Sequence, residues 1–506
     1  MAQSDVLIFG SFGLLVCAAV LPSLLRLRKK PKAHPLDVPL FHWNKTDVLT
    51  LRGLLDGGVH AWGRTGSGKT SSLKALAKAI VGYGNSSILV LCGKRNEYKD
   101  WLEMARAARR EADVILIDSQ QPHRLNMVGY QASRKGEGAG QATNVTRYIL
   151  ELRSVIFRES EQLGGESQQW KTYSETQIEH AVTMLLLADE PITAANIYRL
   201  LLSAPVTEAQ KANPKWEADY CNQCIGKAFA RAKSPMESED FELGADYFLK
   251  IWPSLSDRTQ SSISVGTMAT LNAMNKGWAR ELFGSTTNTT PLEQIEGRKI
   301  VIVNLPPDEW GNTGLVGNVG LKSLWQNEIL RREATDDSPV ACIWGDESSM
   351  WFTPTDARYL SRCRSAKGCM VYICQSLNSY KEAMPSEKAE AAIEAMLAQF
   401  SHRLVFALGD YSTATWAADH VGKALQQLGG GSVQHSDDLV RFNPESHSTS
   451  NFSESYQHIV QPGEFMHGFR TGSPVNGFLV DAILLRSGMP FSNGLPFIAV
   501  TFDQRK

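Results

Sequence analysis

The sequence predicts an α/β fold built on a largely parallel sheet, and three observations carry that reading. A glycine-rich loop, Gly63-Arg64-Thr65-Gly66-Ser67-Gly68-Lys69-Thr70, stands between the short apolar run 59–62 and the amphipathic run 71–80. The runs 88–92 and 114–118 are almost continuously Ile, Leu and Val, the pattern of parallel strands buried on both faces. After a long helical stretch the same texture returns at residues 300–305.

At the start of the chain, residues 6–25 carry no charge, and twenty apolar residues suffice to cross a bilayer as a helix. Arg26, Arg28, Lys29, Lys30 and Lys32 follow it, while only Asp5 precedes it. A signal peptide has the opposite polarity. The positive-inside rule therefore predicts a single-pass anchor in the cytoplasmic membrane, with the N-terminus outside and the bulk of the chain in the cytoplasm.

The loop fits the P-loop pattern at every fixed position, in the strand–loop–helix setting that gives the pattern meaning. Its glycines let backbone N–H groups turn toward phosphate oxygens, and the following helix adds the positive end of its dipole. Lys69 would reach the β- and γ-phosphates, and the Thr70 hydroxyl would ligate Mg²⁺. The expected ligand is ATP with Mg²⁺. Residues 97–111 read as a crossover helix between the second and third strands.

From about residue 146 to residue 277 helical spacing dominates, as in Ile178, Ala181, Val182, Leu185 and Leu186, with Thr193 as an N-cap. Residues 164–169 and 208–213 read as polar loops within it. Strands are expected again at 340–344, 370–374 and 403–408, with a terminal pair at 477–485 and 496–502. Gly429, Gly430 and Gly431 open a stretch that reads as flexible and polar as far as Ser455. The expected boundaries are an anchor at 1–32, the first part of the ATPase domain at 33–160, an all-helical insert at 161–285 and the second part at 286–506.

Composition constrains partners and compartment. A net charge of −1 over 506 residues offers no global basic field, so any contact with nucleic acid must come from local patches or a pore shared by subunits. The eight cysteines show no disulfide framework and suit a reducing cytosol. Cys221 and Cys224 have C-x-x-C spacing but lack a second pair of ligands, and read as two cysteines on a helix.

Ala341 to Trp344 is an apolar strand that runs through Gly345 into Asp346 and Glu347. At the end of a strand in a P-loop sheet, the first acid suits Mg²⁺ and the second suits orientation of the attacking water. Gln375 closes the next strand, where an amide can report the γ-phosphate. Arg364, and after it Arg362, lies between these two strands and is the candidate for a charge supplied to a neighbouring subunit's site.

The order of these features resembles the coupling proteins of type IV secretion, the membrane-anchored ATPases of conjugation, within the FtsK–HerA group of ring motors. The likeness runs from about residue 45 to the end and is carried by the Gly63–Thr70 loop, Asp346-Glu347, Gln375 and His402-Arg403-Leu404-Val405-Phe406-Ala407 with the segment after it. It implies a RecA-like P-loop ATPase sheet with an inserted all-helical domain and an N-terminal transmembrane helix. It also implies a homo-hexamer whose channel handles DNA, fed by a relaxase or relaxosome and coupled to secretion-channel components. Two features depart from that pattern. The chain has one expected membrane helix where many relatives have two, and Gly93-Lys94-Arg95-Asn96-Glu97 lacks an Asp-Pro pair, which leaves Lys94 without an assigned role. Two other readings differ in class: a secretion ATPase that unfolds protein effectors, and a nucleotide-switched scaffold without motor activity.

Overall fold

The computed structural model describes residues 34–156, 168–384, 387–435 and 446–505. The expected anchor at residues 6–25 lies outside them. Among the described residues no helix is long and apolar enough to cross a membrane.

Strands β1 (Pro39–His42) and β2 (Val48–Thr50) pair with each other ahead of the main sheet. The main sheet contains β3 (Val59–Trp62), β4 (Ser86–Leu91), β5 (Val114–Ile117), β6 (Ile300–Val303), β7 (Val340–Gly345), β8 (Gly368–Cys374) and β9 (His402–Val405), all parallel. Strands β10 (Lys423–His435) and β11 (Ser446–His458) form a separate antiparallel hairpin. Strands β12 (Leu479–Arg486) and β13 (Phe497–Asp503) extend the main sheet antiparallel beyond β9, giving the order β13-β12-β9-β3-β8-β7-β4-β6-β5.

Every residue of β3, β4, β6, β7 and β8 is buried, as their unbroken apolar runs require. Alternate residues serve two cores. Ile88, Val90, Ile300 and Ile302 pack with Leu73, Leu76 and Ile80 of the helix Lys69–Gly82, and with Trp101 of the helix Glu97–Ala107. Leu89, Leu91, Val301 and Val303 face the opposite way, into a core shared with the buried helix Asn312–Arg331.

Between β5 and β6 the described residues form only helices and the loops joining them, so the helical reading of this stretch holds. Thr193 caps the helix Ala194–Leu202 by accepting from Asn196 N at 3.0 Å. The side chains of this block (Tyr148, Ile149, Val182, Leu185) continue the second sheet core without a break.

Three expectations require correction. The run 114–118 is not buried on both faces: β5 is the edge strand, and Val114, Ile115 and Leu116 are partly exposed. Residues 208–213 are not all loop, because Thr207 accepts from Gln210 N at 3.2 Å and starts the short helix Glu208–Lys211. The glycine-rich stretch from Gly429 onward is paired backbone in β10 and β11 rather than an irregular segment. Cys221 and Cys224 are buried on the helix Tyr220–Arg231, where burial raises both thiols, Cys224 to about 11. The described residues contain no cluster of His, Cys, Asp or Glu suited to a metal.

Two histidines inside the sheet make stability depend on pH. Burial, reinforced by the charge of Arg403, lowers His60 from 6.5 to about 3, and burial with Arg486 does the same to His402. Unfolded, both rings titrate near 6.5, so between those values the unfolded chain binds more protons. The stability these neutral rings contribute is full above about pH 6.5 and is lost as pH falls toward 3. Urea midpoints measured from pH 7.5 to 4.5 should fall below pH 6.5, and the fall should be shallower in His402→Gln.

Candidate nucleotide site

Parallel strands end on one edge, and register decides what meets there. Trp62 of β3 lies beside Cys374 of β8, Gly345 of β7 beside Tyr372, and Leu91 of β4 beside Gly345. The segments leaving these strands begin at Gly63, Gln375, Asp346 and Cys92. Residues far apart in the chain are thereby collected at the carboxyl edge of the sheet, where open α/β folds bind ligands.

The loop is held at both ends by its neighbours. Gly63 N donates to Cys374 O at 3.2 Å and Arg64 N to Ala407 O at 2.8 Å. A Cβ at Gly63 would stand 2.4 Å from Ser67 Oγ, and one at Gly68 2.6 Å from Val480 Cγ2 of β12. Gly66 and Gly68 have φ of 76° and 84°, a region closed to most side chains. No side chain caps the helix Lys69–Gly82, so its first-turn N–H groups face the loop's concave side. Ser67 Oγ is buried without a partner among the described residues, and Lys69, two residues further on, is buried as well. Arg64 and Thr65 remain exposed at the tip.

Asp346 is 1 % exposed and accepts on both oxygens. Oδ2 takes Thr70 Oγ1 at 3.0 Å and Lys94 Nζ at 3.1 Å, and Oδ1 takes Glu347 N at 2.9 Å. Adjacent oxygens around a Mg²⁺ ion with bonds near 2.1 Å stand about 3 Å apart, so the Thr70–Asp346 spacing suits that ion. The oxygen-only donor set is the one a hard cation prefers.

Glu347 occupies the left-handed region, φ 50° and ψ 47°, at a cost of about 1 kcal/mol for a residue with a side chain. Its Oε1 lies 3.0 Å from Lys94 Nζ and its Oε2 accepts from Gln375 Nε2 at 3.2 Å. Neighbours fix this turn. Ser348 Oγ donates to Ile373 O at 3.0 Å, so Tyr380 OH, 2.6 Å away, donates to Ser348. Tyr380 then accepts from His60 Nε2 at 3.0 Å, which places the ring proton on Nε2. Trp351 Nε1 donates to Asp346 O at 2.8 Å.

The structure thus brings together Lys69, Thr70, Asp346, Glu347 and Gln375. Arg364 is elsewhere. It precedes β8 at the opposite edge of the sheet, where it pairs with Asp56 at 2.6 Å, its side chain 64 % exposed. Arg362 is exposed on the same turn.

Lys94 and Glu97 are the site residues that sequence reasoning left without roles. Burial opposes the charge of Lys94, but Asp346 and Glu347 outweigh it and hold its pKa above the usual lysine range. Glu97 Oε2 accepts from Gly93 N at 3.0 Å, closing the loop that carries Lys94. Burial and the nearby Asp346 charge raise the Glu97 carboxyl well above the usual carboxylate range. Their signal in the sequence was position: a lysine and a glutamate just beyond a strand end.

Residues 339–467, which contain Asp346, Glu347, Arg364 and Gln375, match the family model described as the TraM recognition site of TraD and TraG. The bacterial conjugative coupling protein TrwB, in a trigonal form with sulphate, has 13 % identity and a TM-score of 0.55, over 92 % of this chain and 91 % of that one. TrwB in complex with ADP and Mg²⁺ has 14 % identity and a TM-score of 0.54, over 91 % and 87 %. TrwB in complex with the non-hydrolysable GTP analogue GDPNP has 13 % identity and a TM-score of 0.53, over 91 % and 88 %. No curated protein matches the chain in sequence. The expected resemblance to type IV coupling proteins is borne out by the family model and by the shared fold.

Proposed function

We propose that this chain, with the fold of a conjugative coupling protein, is a membrane-anchored ring ATPase that couples ATP hydrolysis to DNA transfer through a type IV secretion channel. The observation that carries it is the meeting of Thr70 and Asp346 at 3.0 Å with Glu347 and Gln375 alongside on one sheet edge, a grouping that suits nucleotide hydrolysis. The TrwB complexes with nucleotide and Mg²⁺ support ATP and Mg²⁺ as ligands here.

In this reading the N–H groups of Gly63–Thr70 and the Lys69 ammonium hold the phosphates. Thr70 and Asp346 hold Mg²⁺, which when bound screens the phosphate charge. Glu347 orients and polarises water toward the γ-phosphorus, and Gln375, hydrogen-bonded to Glu347, senses whether the γ-phosphate is present. Arg364 serves the site of a neighbouring subunit. Its place at the far edge from its own loop suits a group exported to another subunit, and reaching that site requires release from Asp56.

Residues 6–25 anchor the chain in the cytoplasmic membrane, subunits assemble as a homo-hexamer, and the helical block between β5 and β6 meets the relaxosome. A pore that grips phosphates responds to salt. Hydrolysis by the detergent-solubilised full chain, read with its assembled mass, should be stimulated by single-stranded DNA. That stimulation should fall steeply, by at least about tenfold, between 50 and 200 mM salt. Stimulation indifferent to salt would favour a protein cargo, and assembled material that never cleaves ATP would end the motor reading.

A further inference from the structure

Lys94 touches both acids of the site at once, and its contacts fall on particular oxygens. On Asp346 it meets Oδ2, the same oxygen that accepts from the Thr70 hydroxyl. On Glu347 it meets Oε1, while Oε2 is held by Gln375. A carboxylate engaged on both oxygens, one of them by an ammonium, is a poor partner for water. The Lys94 side chain is 52 % exposed on a loop beyond β4, whereas the Asp346 side chain is 1 % exposed. The acid is fixed and the ammonium is free to swing outward.

We infer that Lys94 is a charge-exchange residue: its ammonium balances Asp346 and Glu347 while no Mg²⁺-nucleotide is bound, and gives up Asp346 when the cation arrives. This deepens the nucleotide-site reading above and rests on it. Two carboxylates on adjacent residues would repel a polyphosphate, and the single charge of Lys94 offsets about half of that field. A dication held by Thr70 and Asp346 would repel the ammonium and compete with it for the same carboxylate, so Mg²⁺ binding would weaken the Lys94–Asp346 pair. The same repulsion acts on the ammonium where it meets Glu347 Oε1, and draws it off that oxygen too. That release leaves Glu347 Oε1 open toward water only once the substrate is seated. Lys94 is on this argument a positioning residue, acting through the two acids. The loop supports the motion, since Glu97 secures it at Gly93 N and leaves the Lys94 side chain projecting.

The test compares the dissociation constant of ADP in Mg²⁺ with that in EDTA, by calorimetry on the full chain. In Lys94→Met the ratio of the EDTA value to the Mg²⁺ value should rise about tenfold over wild type. Without the ammonium, metal-free ADP meets two bare carboxylates, and Mg²⁺ meets no competitor. Lys94→Arg keeps the charge and should stay within about threefold of the wild-type ratio. An unchanged ratio in Lys94→Met overturns the inference, whether both constants stay put (a bystander) or both weaken together (a phosphate ligand). Thermal unfolding of each variant guards against misfolding, to which a half-exposed side chain contributes little. Wild-type protein that binds no ADP in either buffer would instead overturn the nucleotide site itself, and the role of Lys94 with it.

Discussion

Glu347→Gln should bind ATP as tightly as the parent chain within a few-fold and hydrolyse it about a thousandfold more slowly. The substitution is nearly isosteric, so the left-handed turn and the contact with Gln375 Nε2 can persist through the amide oxygen. What disappears is the negative charge proposed to polarise water, and with it the attraction to Lys94. Asp346 keeps its contacts with Thr70 and Lys94, so the phosphate and cation side of the site is untouched. Lys69→Ala provides the contrast: a buried cation is removed from the loop itself, and affinity should fall together with turnover. Phosphate release and ATP affinity measured on both variants separate the two roles. Full turnover in Glu347→Gln would remove the acid from the mechanism.

The parts of the site that were readable in the sequence are those fixed by local stereochemistry. The loop from Gly63 to Thr70 announces itself because its turn demands glycine at Gly66 and Gly68, and its chemistry demands Lys69 and Thr70. Asp346-Glu347 and Gln375 were readable because each ends an unbroken apolar run, and parallel strands share a carboxyl edge. Lys94 was not readable in this way. Its partners directly follow β7, and the pairing of β4 with β7 along Ser86–Leu91 and Val340–Gly345 is what brings the two strand ends together. The exposure of β5 was hidden for a similar reason, since an apolar run looks alike at a sheet's centre and at its edge. The hairpin β10–β11 pairs within itself, outside the main sheet, and its polar, glycine-rich sequence lacks the apolar alternation from which a strand is read. The role proposed for Arg364 depends on how subunits would meet, which no local pattern encodes.

The largest loss of stability is expected at Asp356→Ala, far from any phosphate. Lys322 and Asp356 are both 0 % exposed and pair at 2.7 Å beneath the segment that follows Asp346 and Glu347. Asp356 also accepts from Gln326 Nε2 at 2.7 Å, Tyr372 OH at 3.0 Å and Thr353 N at 3.1 Å. Lys322 Nζ donates further to Trp351 O at 2.7 Å and Thr353 Oγ1 at 3.1 Å. Alanine at 356 removes the carboxylate paired with a fully buried ammonium, and breaking a buried pair from one side costs about 3–5 kcal/mol. Much of that is the penalty of burying the remaining charge rather than the worth of the pair, so removing both charges should cost less than removing one. The double variant Lys322→Met with Asp356→Ala should therefore recover part of the loss, seen as a urea midpoint between those of wild type and Asp356→Ala. The consequences extend in two directions from the same segment. Trp351 holds Asp346 O from one side. On the other, Glu151 of the helix Ala142–Ile156 accepts from Ser323 Oγ at 2.6 Å, Thr353 Oγ1 at 3.2 Å and Thr355 Oγ1 at 2.6 Å. A packed polar network thus connects the helical block to the acids, and loosening it at Asp356 should lower ATP turnover as well as the unfolding midpoint. A single variant with an unchanged midpoint would mean that water reaches this pair in solution, and the mechanical link between block and site would lose its support.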